Sequence, residues 1–342
     1  WGVPLTLARM PAGTRYAIFE IGMNHAGEIT PLTRMVAPHV AVVTTVGSAH
    51  LENLGTEEAI ADAKAEIFLG LAPGGVAIMD FDNRHYARLR AAALARPGVT
   101  VMPFSGRPVG HDGVMDPART GHGIVGLHHA HEVDGQSLVT AHGQSYVLGA
   151  SGAHMIANSV AVVAVLKAMG ADVSAALPAL AGFGAPQGRG SRSRLTIGGC
   201  EILLIDESYN ANPASMRAAL DAMRGLDRTA HPRRIAVLGE MLELGRDGAR
   251  LHAGLKDAID AAEIDLVFAT GPNMKRLFDL LPGGKQGQWA ETAAGLAEGL
   301  CAALKRGDAV MIKGSNGSRT WQLVAELEQR AAAAGVTAKS TA

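Results

Sequence analysis

The sequence predicts an α/β protein with doubly wound parallel sheets in two domains. Three observations carry this. The 342 residues make about two domains of ordinary size. The strand candidates are continuous apolar runs, as in strands buried on both faces, rather than polar/apolar alternations. Stretches of helical period separate them. In the first half the runs are 16–19, 40–46 and 76–79. Residues 100–150 are rich in Gly and His and read as hairpins or loops. A helix follows over 155–169 and is closed by Gly170. The segment 184–194 holds Gly, Pro and Arg with little apolar content, which places the boundary there and gives domains 1–192 and 193–342. The second series of strands is 202–205, 235–238, 266–269 and 309–312, with helices over 213–223, 249–262 and 318–334.

Composition narrows the function. Hydrophobic residues make up 48% and charged residues 18%, enough for ordinary cores and against wholesale disorder. Lys+Arg is 31 and Asp+Glu is 32, a net charge of −1. No global field favours a nucleic acid or an anionic membrane. No apolar run approaches the roughly 20 residues that span a bilayer. The two cysteines, Cys200 and Cys301, exclude a disulfide framework and suit a reducing cytoplasm.

Some signals point the wrong way. Residues 121–126 fit the G-x-G-x-x-G spacing. No apolar strand precedes them and a strand-like run follows, which is the wrong setting for a dinucleotide. Residues 314–318, Gly-Ser-Asn-Gly-Ser, lie between a strand and a helix. Their amides could hold an anion, but no complete Walker A loop exists in the chain. His122, His128, His129, His131 and His142 read as loop histidines rather than a metal site.

The chemistry concentrates at strand ends. Glu20 closes the apolar run 16–19, and His50 follows the run 40–46, so both are expected at the carboxyl edge of the first sheet. Such groups can hold Mg²⁺ or stay solvated. Thr56 can cap a helix whose first turn holds Glu57 and Glu58. Lys64 falls within the buried stripe of Ile60, Ile67 and Leu71, with Glu58, Asp62 and Glu66 opposite. Burial lowers a lysine pKa, and a neutral amine can add CO₂ to give a carbamate with oxygen donors for Mg²⁺. Periodicity alone fits equally a lysine that snorkels to solvent. In the second half, residues 202–205 lead into Asp206-Glu207-Ser208-Tyr209-Asn210-Ala211-Asn212-Pro213. Asn212 can cap the helix begun by Pro213. Asp206 could bind ribose hydroxyls, and the loop residue Arg189 a phosphate.

At these residues the chain resembles the Mur ligase family of cell-wall synthesis. The resemblance runs from residue 2 to about 328 and implies a central ATPase-like parallel-sheet domain followed by a Rossmann-like C-terminal domain. It rests on Glu20-Ile21-Gly22-Met23-Asn24-His25-Ala26-Gly27-Glu28-Ile29, on the 206–213 motif, on Gly239-Glu240-Met241 with Glu243-Leu244-Gly245, and on Lys313-Gly314-Ser315 with Arg319. These motifs are similar to the branch that joins D-alanyl-D-alanine to UDP-N-acetylmuramoyl-tripeptide, with ATP forming an acyl phosphate that the amine then attacks. The resemblance implies that Glu20, His50 and a carbamylated Lys64 form the Mg²⁺ site. It implies adenine contact by Asn158, phosphate contact by Arg189 and ribose contact by Asp206. It places Thr6 in the muramyl-peptide site. It associates Asn24, His25, Tyr209, Asn210, Asn212, Lys313 and Arg319 with the substrates. Met155 departs from the Asn often found beside the preceding His.

Family members carry an N-terminal UDP-binding domain and a Walker A loop ahead of the point where this chain begins. The expectation is therefore the central and C-terminal part of a longer enzyme, inactive alone, with 184–194 as a hinge. Three rival readings are a folylpolyglutamate synthase-like ligase, a NAD-dependent dehydrogenase and a non-catalytic nucleotide-binding module. The Gly22-Met23-Asn24-His25 and Tyr209-Asn210-Ala211-Asn212 motifs disfavour the first, and the misplaced glycine pattern is all that supports the second.

Overall fold

The computed structural model describes residues 1–47, 51–108, 123–133, 135–184, 187–333 and 337–338. They form two compact units, Trp1–Gly184 and Ala185–Ala342.

The first unit is built on one six-stranded sheet in the order β1-β2-β3-β4-β5-β6. Strands β1 (Val40–Val43), β2 (Val76–Asp80), β3 (Thr100–Pro108) and β4 (Val125–Val133) run parallel to one another. Strands β5 (Gln136–Ala141) and β6 (Gln144–Leu148) continue as an antiparallel meander, in a region expected to hold hairpins or loops. Strand β2 shows why the run reads as continuously apolar. Ala77 and Met79 enter one core with Ile60, Phe68 and Leu89, while Ile78 enters the opposite core with Phe104, Val125 and Val160. Helices Ile29–Val36, Glu57–Ala65 and Tyr86–Leu94 supply the first core, and helix Ala153–Ala168 the second.

The second unit carries a seven-stranded sheet in the order β11-β10-β9-β12-β8-β7-β13. Its strands are β7 (Ser191–Ile197), β8 (Cys200–Glu207), β9 (Arg234–Leu238), β10 (Leu266–Thr270), β11 (Gln286–Ala290), β12 (Ala309–Lys313) and β13 (Thr337–Ala338). From β8 to β11 the pairings are parallel, while β7 and β13 are antiparallel additions. Helices Pro213–Arg224, Lys256–Ala261 and Pro272–Asp279 cover one face. Helices Ala297–Ala303 and Thr320–Ala333 cover the other. Strand β9 alternates between the cores, with Ile235 and Val237 facing one and Ala236 and Leu238 the other. Both faces are therefore covered, as parallel sheets require.

Three expectations are corrected. Residues 16–19 are not a strand: they carry no regular secondary structure, with Tyr16 61% and Ile18 96% exposed. A strand forms only where a neighbour offers its row of hydrogen bonds, and among the described residues β1 pairs only with β2. The chain enters the core later, through Ile21 and the buried Met23. The run 40–46 pairs only over Val40–Val43. The single helix expected over 249–262 is two, Gly248–Ala253 and Lys256–Ala261, because the first ends with Gly254 as its cap. Strands β7 and β11 had no counterpart in the sequence reading. Among the described residues no helix is long and apolar enough to cross a membrane.

Candidate functional site

In the first unit the lysine helix is fixed at both ends. Thr56 caps it by accepting from the Ala59 N–H at 3.1 Å, as expected, and Glu57 and Glu58 occupy the first turn. Ile60, Ala61, Ala63 and Ala65 are buried, and Lys64 lies mostly buried among them. Burial alone pushes the Lys64 amine below the usual lysine range. The Lys64 side-chain amine has no hydrogen-bond or ion-pair partner among the described residues. Such an amine loses its proton more readily than a solvated one and is the nucleophile that carbamate formation needs.

The helix end also organises the preceding loop. Glu66, expected on the solvated face, instead turns inward. Its carboxylate accepts from the Gly27 N–H at 2.6 Å, the Thr30 N–H at 3.0 Å and the Thr30 hydroxyl at 2.8 Å. Within the loop it holds, the Asn24 N–H donates to Glu28 at 2.8 Å, and the His25 ring lies 3.1 Å from the same carboxylate. The Asn24 amide first, then His25, keeps the Glu28 carboxyl below the usual carboxylate range. Asn24 and His25 are exposed.

The remaining predicted residues of this unit are dispersed. Glu20 is exposed on the unpaired segment, not at a strand end. His50 lies outside the described residues. Asn158 is exposed on helix Ala153–Ala168, and Thr6 is exposed on helix Gly2–Arg9, its hydroxyl donating to the Gly2 carbonyl at 2.8 Å. Among the described residues no group of three His, Cys, Asp or Glu is placed to hold a metal ion. That holds for the described members of the histidine group, where His129 instead pairs with Thr140 at 3.2 Å.

The second unit brings its predicted residues together at the carboxyl edge of β8, β9 and β12. Asp206 is buried, and its carboxylate accepts from the Gly188 N–H at 2.8 Å, the Ser208 N–H at 3.0 Å and the Ser208 hydroxyl at 2.6 Å. Gly188 sits at φ +77°, and a Cβ there would lie 2.9 Å from Tyr209 Cβ and 3.0 Å from its nitrogen. Only glycine fits that approach without strain. It delivers Arg189, whose guanidinium lies 4.1 Å over the Tyr209 ring. The arginine is exposed yet stacked on a ring.

Lys313 ends β12 and is buried. Its ammonium donates to the Asn210 carbonyl at 3.0 Å and to Glu207 at 3.3 Å. Burial pushes its pKa down, Glu207 pulls it back up, and Arg189 lowers it slightly further. Asn212 is a true helix cap: its side chain accepts from the Ser215 N–H at 2.8 Å, and the Ser215 hydroxyl accepts from the Asn212 N–H at 3.0 Å. Arg319 is exposed, in a left-handed conformation at φ 57° between a short turn and helix Thr320–Ala333.

One residue the sequence reading left without a role ties these loops together. The buried Ser315 donates through its hydroxyl to the Ala211 carbonyl at 3.2 Å and accepts from the Leu242 N–H at 2.9 Å. Its own N–H donates to the Glu240 carbonyl at 2.9 Å. Loops after three strands thus meet at one serine. Its presence in the Lys313-Gly314-Ser315 motif was the available signal. For Glu66 there was none, because its partners lie 36 and 39 positions away.

Comparison with known proteins gives a consistent picture. Residues 1–166 match the Mur ligase middle domain, and residues 188–316 match the Mur ligase, glutamate ligase domain. The chain is 32% identical over 308 residues to the UDP-N-acetylmuramoyl-tripeptide–D-alanyl-D-alanine ligase of Escherichia coli (strain K12), covering 87% of this chain and 59% of that protein. The chain thus spans about three-fifths of the length of that curated relative. Among solved structures, MurF from Acinetobacter baumannii superposes with a TM-score of 0.79 at 26% identity, covering 96% of this chain and 68% of that one. The MurF ligase of Thermotoga maritima in complex with ADP shares the fold, with a TM-score of 0.72 at 22% identity, covering 91% of this chain and 66% of that one.

Proposed function

The chain belongs to the Mur ligase family, and from that premise we propose that it supplies the ATP-handling and amine-ligating parts of an enzyme joining D-alanyl-D-alanine to UDP-N-acetylmuramoyl-tripeptide. The observation that carries this reading is the second unit's cluster of Asp206, Arg189, Tyr209, Asn210 and Lys313 at one sheet edge. Ligand sites of open α/β sheets form at that edge. The similarity to the Escherichia coli ligase supports the choice of substrates.

In this reading ATP phosphorylates the terminal carboxylate of the tripeptide. The dipeptide amine attacks the acyl carbon, and the carbon–oxygen bond to phosphate breaks, releasing inorganic phosphate. In the second unit, Arg189 presents a fixed guanidinium edge to phosphate oxygens, because stacking on Tyr209 leaves its donors free at the rim. Asp206 orders the loop that carries Arg189 and is the ribose acid by family analogy. Lys313 fixes the Asn210 backbone, and Asn210 and Arg319 face the incoming amine substrate. In the first unit, Asn158 contacts adenine, and Thr6, Asn24 and His25 serve the muramyl-peptide side.

Lys64 has the chemistry of a carbamate lysine: mostly buried, held below its usual pKa and with its side-chain amine unpartnered among the described residues. With Glu20 and His50 it would hold Mg²⁺, which when bound neutralises charge on the transferring phosphoryl group.

The test is phosphate release by the complete gene product. Release should require ATP, D-alanyl-D-alanine and UDP-N-acetylmuramoyl-tripeptide together. Lys64→Ala should abolish it, and added acetate should restore part. Release supported by a folate and glutamate, or none with any acceptor, would overturn the reading.

A further inference from the structure

We propose that His252 is a positioning residue for the loops that receive the amine substrate, a role that rests on the reading of those loops given above. His252 lies on helix Gly248–Ala253 and is fully buried. Both ring nitrogens have backbone partners. Nδ1 is 2.6 Å from the Gly248 carbonyl, which can only accept, so Nδ1 carries the proton. Nε2 is 2.9 Å from the Met241 N–H, which can only donate, so Nε2 holds the lone pair. The two contacts fix one neutral tautomer.

The Met241 amide is the centre of a three-residue grip. On one side the Glu240 carbonyl accepts from the Ser315 N–H, and on the other the Leu242 N–H donates to the Ser315 hydroxyl. Ser315 in turn holds the Ala211 carbonyl, next to Asn210 and Asn212. The Glu240 side chain fixes the same loop from a further direction by accepting from the Asn273 N–H at 2.7 Å. The Nε2 lone pair holds the middle of the segment that locates Ser315.

The role predicts that loosening travels from the β9 loop into the β12 loop. His252→Leu keeps an apolar filling but removes the acceptor. In hydrogen exchange on the full chain, amides in 239–244 and in 313–318 should exchange about fivefold to tenfold faster, the loss of roughly one net hydrogen bond. His252→Gln, with one acceptor and one donor on its amide, should recover much of the protection. In the complete gene product, the Leu variant should raise KM for D-alanyl-D-alanine with KM for ATP unchanged.

Faster exchange confined to 248–253, or none in 313–318, would overturn the positioning role. If exchange spreads as expected but KM for the dipeptide stays normal, the substrate assignment of the loops is what fails. Should the Leu variant not fold, nitrogen-15 spectroscopy of His252 in the unaltered chain decides. An unprotonated Nε2 at pH 7 supports the role, and the opposite tautomer or an imidazolium overturns it.

Discussion

Asp206→Ala separates a structural carboxylate from one reserved for a ligand. The carboxylate takes three donors: the N–H of Gly188, and the N–H and O–H of Ser208. Asp206, Gly188 and Ser208 are all buried. Leaving a buried donor unsatisfied costs about 1–3 kcal/mol, so three would cost about 3–9 kcal/mol. The Ser208 hydroxyl can rotate to another acceptor, and Gln187 and Arg189 on either side of Gly188 are exposed, which lets water reach the glycine amide. The lower part of that range, about 3–5 kcal/mol, is therefore expected. With a urea slope of about 2 kcal/mol per molar, the midpoint of the second unit should fall by roughly 1.5–2.5 M. Equilibrium urea unfolding of the chain, followed by fluorescence, reads this directly. Loss of less than about 1 kcal/mol at unchanged slope would refute the reasoning, since one orphaned donor alone should cost that much. A stable variant that bound nucleotide poorly would instead make Asp206 mainly a ligand group.

Three further outcomes are expected. Lys64→Met should raise the thermal midpoint of the chain while abolishing turnover in the complete gene product, because it removes a buried amine that is costly to charge; a lowered midpoint would mean that Lys64 has a stabilising partner. Burial, opposed by the Gly248 carbonyl and Glu240, holds the His252 pKa below its ordinary 6.5, so the unfolded chain takes up that proton first. Its contribution to stability is full above about pH 6.5 and is lost as pH falls towards the folded pKa, and a urea midpoint no more sensitive to pH in this window than that of His252→Gln would contradict it. Gly188→Ala adds a Cβ against Tyr209 at a φ of +77°; it should cost about 2–4 kcal/mol from the left-handed backbone and the overlap together, and an unchanged melting temperature would show that the loop relaxes freely.

The parallel cores were legible because burial on both faces leaves a plain trace: a run such as 235–238 has no polar residue to offer either side. The Thr56 and Asn212 caps were legible because a cap acts within three residues of itself. What stayed hidden depends on distant partners. Residues 16–19 have the composition of a strand, yet composition cannot say whether a neighbouring edge is there to pair with. Tyr209 and Arg189 were each visible as candidates, but their stacking depends on a glycine at φ +77° that brings the two loops together. His252 gave no signal at all, since its meaning lies in a backbone amide eleven positions earlier. Asp206 was read as a ligand group from its place at a strand end, and the structure adds that its oxygens already hold the loop beside it.

Glu66 makes one inherited module of two segments that look separate in the chain. The acceptor sits at the end of the lysine helix, and its donors, Gly27 and Thr30, sit in the loop before helix Ile29–Val36 and in that helix's first turn. A chimera with a crossover anywhere between 30 and 66 draws donors from one parent and acceptor from the other. Where the second parent has no acid at the position of Glu66, the loop carrying Asn24 and His25 would lose its anchor, although every residue of the loop were kept. Exchanging this loop among related chains therefore requires moving position 66 with it, and sequence libraries recombined inside that window should be depleted of stable offspring unless it is matched.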